Sequence, residues 1–342
     1  MNQRQTPADP AGVFASPPSP AVSPSPASPP SARAVAVSPR DRRLAEAGVL
    51  LTVLIWSANF VVVKAAIGEV GPLTFTTTRF VVATITLFLL IRWRMGVIRR
   101  PTGLTLRLIA LGMLGFGCYQ VVWTLGLIQI TAGESALIVA ASPVLVALLA
   151  GAVGMDRLTM PKLAGALIAF AGVALVIAGG HELTLGASLV GDALTLLAAC
   201  LWAVYTVIGT RMLRHVDPLQ ATAWSVLGGT LLLLPFGIWE VATSPPVAVT
   251  LPAIAAVLYS GALAAGTANV LVFNAIRYIG PTRATVNQLL VPVGAVILGA
   301  LFLAEPIGPA QVVGGAVIIL GLYLTRRRTV LPASVRARLP IR

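Results

Sequence analysis

The side chains best able to do chemistry in this 342-residue chain are aromatic and amide groups set inside long apolar segments. Trp56 and Asn59 lie three residues apart and so share one face of a helix, and Trp202 and Tyr205 repeat that spacing. An amide that faces lipid leaves costly hydrogen bonds unmade, so these side chains are predicted to point at one another or into a wet cavity. The predicted ligand-binding set is Trp56, Asn59, Arg79, Tyr119, Gln120, Trp123, Trp202, Tyr205, Asn269, Asn287 and Gln288.

Each of these side chains also has an ordinary alternative role. Amides in membrane helices often hold neighbouring helices together, at about 0.6 kcal/mol or more per hydrogen bond. Trp and Tyr also populate the two membrane–water interfaces. The set as a whole favours a cavity because it concentrates in the first, third, sixth, eighth and ninth apolar segments. The fifth and tenth segments instead carry Gly165, Gly172, Gly314 and Gly321, a composition typical of closely packed helices.

Arg79 is the one charged residue placed clearly inside an apolar segment, about 10 Å from its end at the helical rise. A buried guanidinium needs a partner, and Glu69 or Glu134 is predicted to supply one from the same side. The other hypothesis is that Arg79 biases the cavity toward substrates that bear a carboxylate. Lys64 lies near the end of the first segment, where a long side chain can extend its ammonium group to the interface.

Pro143 and Pro292 stand at matched positions in the middle of the fourth and ninth segments. Proline removes one helix hydrogen bond and permits a bend. Two interpretations are open. The prolines are either static kinks or hinges for a motion that exposes the cavity to each side of the membrane in turn.

The sequence predicts neither an enzyme nor a metal or cofactor site. It lacks both the Gly-x-x-x-x-Gly-Lys phosphate-binding loop and the His-Glu-x-x-His zinc motif. Cys118 and Cys200 lie in apolar segments, whereas His181 and His215 fall outside the segments and so do not activate them. All eleven acidic residues are placed in tails, loops or segment ends, so no proton relay within the membrane is predicted.

Apolar segments account for nearly all of the chain after residue 45. The chain is 57% hydrophobic and 10% charged, whereas about 25% of the residues of a soluble protein are charged. A helix of about 20 apolar residues crosses the hydrocarbon core of a bilayer. The ten predicted segments are Ala47–Ile67, Leu73–Ile91, Leu106–Leu127, Ser135–Gly154, Leu163–Gly180, Leu189–Gly209, Leu219–Glu240, Leu251–Ile276, Ala284–Leu303 and Pro309–Thr325.

The net charge of +13 is explained by the placement of the basic residues rather than by nucleic-acid binding. Basic residues precede the first segment, recur in every second loop and fill the C-terminal tail, while the other loops hold almost none. This is the positive-inside pattern, and it predicts that both termini are cytoplasmic. The predicted partners are the lipid bilayer and a small-molecule substrate.

The ten segments fall into two similar halves of five. Shifts of 149 or 146 residues align the halves in the pairs Pro143 and Pro292, Gln120 and Asn269, Asp156 and Glu305, and Trp56 and Trp202. The acidic pair falls at helix ends, where a capping role is predicted rather than ion coordination. Five crossings per half turn the second half upside down relative to the first. The predicted fold is therefore an all-α integral membrane protein with ten transmembrane helices in two inverted five-helix repeats.

The predicted domain boundaries follow from this repeat and from composition. Residues 1–45 are rich in Pro, Ser and Ala and are predicted to be a disordered cytoplasmic tail. The first repeat is predicted to occupy residues 46–182 and the second residues 183–326. Residues 327–342 are predicted to be a basic cytoplasmic tail.

Several motifs resemble an EamA domain of the drug/metabolite transporter superfamily. Trp-Ser-Ala-Asn-Phe at 56–60, followed by Lys64, Pro72 and Arg79, resembles the opening of that domain. Gly-Pro-Thr-Arg-Ala at 280–284, through Pro292 to Leu-Ala-Glu-Pro at 303–306, resembles its closing pattern, as does the stretch from Gly133 through Pro143 to Asp156. The resemblance covers about residues 47–325 as two copies. Asp156-Arg157 departs from the Gly-Glu-Arg that is more usual in the family.

The resemblance implies a ten-helix carrier of the inner membrane, most often an exporter of amino acids, related metabolites or drugs. The corresponding hypothesis for mechanism is alternating access around a midplane cavity, driven by the substrate's own gradient. Import of small metabolites, and a non-transporting membrane sensor or a channel, are the alternatives. The oligomeric state is left open by the sequence and a monomer is allowed.

Overall fold

A computed structural model describes residues 39–98, 102–155, 159–180, 187–212, 216–245, 249–279, 288 and 290–326. Over these ranges the chain is helical and contains no β-strand. The helices are α1 Pro39–Val70, α2 Pro72–Met95, α3 Gly103–Leu127, α4 Ala132–Ala152, α5 Met160–Gly180, α6 Ala187–Met212, α7 Pro218–Thr243, α8 from Leu251 to Ile279, α9 Leu290–Leu303 and α10 Pro309–Arg326.

Eight of the described helices, α1 to α8, are long and apolar enough to cross a membrane. The other two, α9 and α10, are apolar but shorter over the described residues. Each of the ten predicted segments coincides with one of these helices, although the predicted start of the ninth, Ala284, lies outside the described residues. The count of ten crossings stays a prediction.

The first helix is longer than its predicted segment. It begins at Pro39, so residues 39–45, which the sequence analysis assigned to the tail, are helical. The rest of that predicted tail and the basic tail after residue 326 lie outside the described residues.

Capping residues fix the ends of several helices. The Thr102 side chain accepts a hydrogen bond from the Thr105 backbone N–H at the start of α3, forming a capping box. Asp217 Oδ1 accepts from the Leu219 backbone N–H at 2.9 Å at the start of α7. Gly96 ends α2 in the left-handed region at φ 72°, a conformation that glycine adopts without strain.

The helices of the two halves contact one another in a reciprocal pattern. Helix α1 packs against α8 and α9, and the equivalent helix of the second half, α6, packs against α3 and α4. In the same way α2 packs on α8 while α7 packs on α3. The equivalent helices α2 and α7 contact each other, as do α5 and α10.

The paired equivalent helices α2 and α7 run antiparallel. The end of α7 lies at the start of α2, where Glu240 Oε2 accepts a hydrogen bond from the Thr74 backbone N–H at 2.6 Å. The start of α7 lies at the end of α2, where Gln220 Nε2 donates to Met95 Sδ at 3.2 Å. Equivalent segments of the two halves therefore point in opposite directions at this contact.

Glycines allow α5 and α10 to pack closely, as their composition predicted. A Cβ atom on Gly172 would lie 2.7 Å from the Gly314 carbonyl oxygen, and one on Gly314 would lie 2.8 Å from the Gly172 carbonyl oxygen. A Cβ on Gly321 would collide with the backbone N of Ala169. The two backbones touch along this line, which is the arrangement that small residues permit between membrane helices.

Helices α3 and α8 each contain a π-helical segment, Met113–Cys118 in α3 and Tyr259–Thr267 in α8. A shift of 149 residues places the first segment inside the second, so the irregularity recurs at equivalent positions. Such segments often occur at functional sites because they rotate the following side chains relative to a regular helix. Both segments border the cavity described below.

Pro143 does not lie in the middle of a continuous helix, where the sequence places it. Helix α4 is interrupted by a turn at Ala140 and Ala141, and Pro143 is the second residue of the segment Ser142–Ala152. Because Pro143 has no backbone N–H, it cannot donate to the carbonyl oxygen of Val139, four residues earlier. The Ser142 hydroxyl donates to that oxygen instead, at 2.6 Å. Pro292 is the third residue of α9 as the structure describes that helix, and residue 289 before it lies outside the described residues.

Candidate functional site

A cavity of about 300 Å³ lies among helices from both halves of the chain. The predicted ligand-binding residues at its wall are Trp56, Asn59, Arg79, Tyr119, Gln120, Trp123, Trp202, Asn269 and Gln288. Pro143 and Pro292 also line it. These side chains are far apart in sequence, yet the fold places them around one volume.

Two of the predicted ligand-binding residues are not at this wall. Tyr205 packs behind it, with its ring centroid 5.2 Å from that of Trp202 and 5.3 Å from that of Phe116. Asn287 lies outside the described residues. Most of the predicted ligand-binding residues therefore lie around one cavity. Tyr205 does not line it but packs against Trp202 and Phe116, two aromatic rings that do.

Arg79 is the charged group of the site and is 2% exposed. Its Nη1 donates to Ser260 Oγ at 3.1 Å and its Nη2 donates to Gln120 Oε1 at 2.5 Å. The guanidinium carbon lies 5.1 Å from the ring centroid of Phe80 and 5.5 Å from that of Trp123, within cation–π range. Its Nε has no hydrogen-bond partner among the described residues.

These contacts correct one prediction about Arg79. The sequence predicts Glu69 or Glu134 as the ion-pair partner of Arg79. Within the described part of the chain, neither carboxylate contacts the guanidinium, whose hydrogen-bond acceptors are both neutral.

Ser260 links Arg79 to a second cavity residue and was missed by the sequence analysis. Its hydroxyl donates to Asn59 Oδ1 at 2.6 Å, so α1, α2, α3 and α8 are joined through one chain of side chains. The sequence holds no signal that separates Ser260 from the other serines of the apolar segments. Its role follows from the π-helical segment of α8, which carries it.

Aromatic rings form most of the remaining wall and are held by their own contacts. The Trp123 ring stacks on Tyr119 with centroids 6.4 Å apart and meets Phe60 edge-on at 5.6 Å. The indole N–H of Trp123 donates to Ser135 Oγ at 3.1 Å, and that of Trp56 donates to the Ala264 carbonyl at 3.0 Å. Both indole N–H groups are therefore satisfied by the protein, and the rings are left to offer their hydrocarbon surfaces.

A second set of charged groups lies at helix ends away from the cavity. Lys64 Nζ donates to the carbonyl oxygens of Leu127 at 2.6 Å and Ile128 at 3.0 Å, at the end of α3. Glu305 accepts hydrogen bonds from the backbone N–H groups of Ala132 at 2.7 Å and Gly133 at 3.2 Å, at the start of α4. Glu305 therefore caps a helix, as predicted; its counterpart Asp156 lies outside the described residues.

Two carboxylates near helix starts are buried among the packed helices. Glu134 and Asp192 are each 1% exposed, near the starts of α4 and α6. Neither lines the cavity. Glu69 is exposed and accepts a hydrogen bond from Thr250 Oγ1 at 3.1 Å. Glu134 and Asp192 lie near helix starts, as the sequence predicts, and the absence of a proton relay within the membrane stays a prediction.

The wall of the cavity presents groups that are suited to binding a small molecule. Among the described residues, its wall contains no Asp, Glu, His or Cys, and no cluster of such residues anywhere in the described ranges is placed to hold a metal ion. What the wall presents is one guanidinium, several amides and many aromatic faces. A multi-pass helical membrane protein with such a cavity has the features of a small-molecule binding and transport protein.

The chain belongs to the EamA-like transporter family, which residues 43–178 and 189–327 each match. A relative from Archaeoglobus fulgidus, described as an uncharacterized transporter, is 31% identical over 80% of this chain and 94% of its own length. A relative from Streptantibioticus cattleyicolor, described as a probable terminal-alkyne amino-acid exporter, is 31% identical over 82% of this chain and 93% of its own length. A crystal structure of another protein shares the fold, with a TM-score of 0.62 and 21% identity over 82% of this chain and 97% of that one.

Proposed function

We propose that this transporter is a secondary carrier of the inner membrane that exports amino acids, related metabolites or small amphipathic compounds by alternating access. The observation that carries the proposal is the cavity, whose wall is built by helices of both halves and combines polar groups with aromatic faces. Membership of the transporter family and the relative described as a probable amino-acid exporter support it.

We propose further that the chain crosses the membrane ten times, as two inverted repeats over residues 46–182 and 183–326, with both termini in the cytoplasm. The duplicated family match supports two repeats. The reciprocal helix contacts and the antiparallel pairing of α2 with α7 support their inversion. The placement of the basic residues supports the orientation.

In this mechanism, access to the cavity alternates as one half moves against the other around a fixed binding site. Pro143 and Pro292 are proposed as hinges because each lies in the first turn of a described helical segment at the cavity wall. Cysteine accessibility along α4 and α9, measured with and without substrate, tests this role. Unchanged labelling would leave the prolines as static features.

The test of the transport function is substrate-stimulated counterflow. Comparing the metabolites of cells with and without the protein supplies candidate substrates, and proteoliposomes loaded with one of them are then given the labelled compound outside. A carrier concentrates the label transiently in the loaded vesicles. A channel only equilibrates it and a sensor moves none, so either of those results removes the proposal.

A further inference from the structure

We infer that the cavity recognises its ligand by a carboxylate held at Arg79 and needs no ammonium group on that ligand. The substrate class is then the monocarboxylates with a flat or branched apolar body, of which amino acids are one case. This inference rests on the proposed function only in taking the cavity as the transport site.

The first ground is the uncompensated charge of Arg79. An arginine stays protonated in proteins, and burying its charge is costly unless an anion or strong acceptors surround it. The two acceptors it has are the neutral oxygens of Gln120 and Ser260, and they occupy two of its five N–H groups. A carboxylate forms shorter, charge-assisted hydrogen bonds with a guanidinium than a neutral oxygen does, so it is the preferred ligand group here.

The second ground is that the acceptors the wall offers to an ammonium are, among the described residues, neutral amide and hydroxyl oxygens and no charged group. The wall contains no carboxylate among the described residues. Asn59 Oδ1, a neutral acceptor that faces the cavity, already receives the Ser260 hydroxyl. An ammonium in this volume would also meet the like charge of the guanidinium.

The third ground is the aromatic lining, which suits the uncharged body of such a ligand. The rings at the wall are those of Trp56, Phe60, Phe80, Phe116, Tyr119, Trp123 and Trp202. Aromatic faces can attract an ammonium, yet Phe80 and Trp123 already face the guanidinium of Arg79. The rings nearest the charged end are thus committed to Arg79, and the others are apolar surface for the ligand body.

The experiment compares three ligands of one shape that differ only in their charged groups. The compounds are 3-phenylpropanoate, phenylalanine and 2-phenylethylamine, with matching indolyl and isobutyl series, titrated calorimetrically into the purified full chain. The best carboxylate is expected to bind at least as tightly as its amino acid. The matching amine is expected to bind at least tenfold more weakly. An amine that binds as tightly as its carboxylate, an amino acid that binds more than tenfold tighter than the carboxylate, or no binding by any carboxylate overturns the inference.

Variants then connect the selectivity to Arg79. Arg79→Gln is expected to weaken carboxylate binding at least tenfold without weakening amine binding. The matched control is Arg92→Gln, the same change at an exposed position of the same helix, and it is expected to leave all affinities unchanged. If Arg79→Gln keeps the carboxylate preference, the inference is wrong. If that variant does not fold, the ranking of ligands by the unmodified chain still decides.

The two experiments test the carboxylate inference and the proposed transport function separately. Carboxylate selectivity in binding without counterflow would sink the proposed transport function and leave this inference standing. Counterflow of amines that does not depend on Arg79 would do the reverse.

Discussion

Two charged side chains hold the short turn between α3 and α4 from its two ends. The Lys64 ammonium binds the last carbonyls of α3, and the Glu305 carboxylate binds the first N–H groups of α4. A cation at a helix C-terminus and an anion at an N-terminus both satisfy unpaired backbone groups and complement the helix dipole. Because Lys64 comes from the first half of the chain and Glu305 from the second, this turn joins the halves at one end of the bundle.

Replacing Glu305 by glutamine is predicted to destabilise the protein. The amide keeps one acceptor oxygen but loses the charge and one of the two hydrogen bonds, for a cost of about 1–2 kcal/mol. The measurement is the thermal unfolding midpoint of the purified protein in detergent. Glu69→Gln is the matched control, since Glu69 is exposed and accepts one side-chain hydrogen bond. Equal midpoints for the two variants would contradict the capping role.

At the scale of residues, the sequence predicted which side chains line the cavity better than it predicted their hydrogen-bond partners. Glu305 was expected to cap a helix, and it does, but that the helix is α4 depends on the packing of segments about 170 positions apart in the chain. An ion pair with Glu69 or Glu134 was one of two predicted roles of Arg79, and the guanidinium instead contacts Ser260 and Gln120. The sequence shows the type of a side chain and its position along a helix. Its partner on another helix depends on how the two helices are rotated and shifted relative to each other, which tertiary contacts determine.

At the scale of elements, the interruption of α4 is stabilised by a hydrogen bond between residues of that same helix. Ser142 Oγ supplies the Val139 carbonyl with the hydrogen bond that Pro143 does not make. The matched proline positions were visible in the sequence. The break was not, because it depends on the turn at Ala140 and Ala141 that no glycine or second proline announces.

A double-mutant cycle tests whether the Ser142 hydroxyl takes the place of the backbone N–H that Pro143 lacks. Ser142→Ala alone is predicted to lower stability by about 1 kcal/mol, since it leaves a partly buried carbonyl without its donor. In Ser142→Ala with Pro143→Ala, the new backbone N–H can serve the Val139 carbonyl, so the loss should be largely reversed. Thermal midpoints of the two single variants, the double variant and the parent give the coupling energy. Additive losses would show that the two groups do not share that carbonyl.

Helices α5 and α10 pack so closely that an added methyl group would collide with the neighbouring backbone. The sequence predicted this close packing, because four glycines lie in these two helices. Gly172→Ala places a Cβ within 2.7 Å of the Gly314 carbonyl oxygen and the Ile318 backbone N, so the helices must separate. The predicted cost is about 1–3 kcal/mol, seen as a lower yield of monodisperse protein and a lower thermal midpoint. Gly68→Ala, in α1 with open space at its Cβ, is the control and should be neutral or stabilising. A Gly172→Ala variant as stable as the control would show that the contact is loose.

At the scale of the whole molecule, the repeat seen in the sequence reappears as a repeat of contacts. The antiparallel α2 and α7, the α5–α10 line of glycines and the two π-helical segments all occur at equivalent positions. The helices themselves were predictable because long apolar segments have no other stable form in lipid. The π-helical segments were not, because their extra residue per turn is selected by neighbouring helices rather than by local propensity.

The orientation of this assembly in the membrane can be tested at two exposed tryptophans, Trp93 and Trp239, which are 81% and 61% exposed. They lie near the ends of the equivalent helices α2 and α7, and the contacts of Glu240 with α2 place those ends at opposite ends of the pair. Exposed indoles at such positions suit the two membrane–water interfaces. Arg92 and Arg94 flank Trp93, so its end is predicted to be cytoplasmic.

Single cysteines at these positions, in a background with Cys118 and Cys200 replaced by alanine, should therefore react from different sides. A membrane-impermeant maleimide applied to intact cells is expected to label Trp239→Cys, and to label Trp93→Cys only after the membrane is permeabilised. Reversed labelling would mean that the molecule sits upside down, with its inversion intact. Labelling of both positions from one side would mean that α2 and α7 do not both cross the bilayer, because their antiparallel pairing forces opposite exposures on two crossing helices.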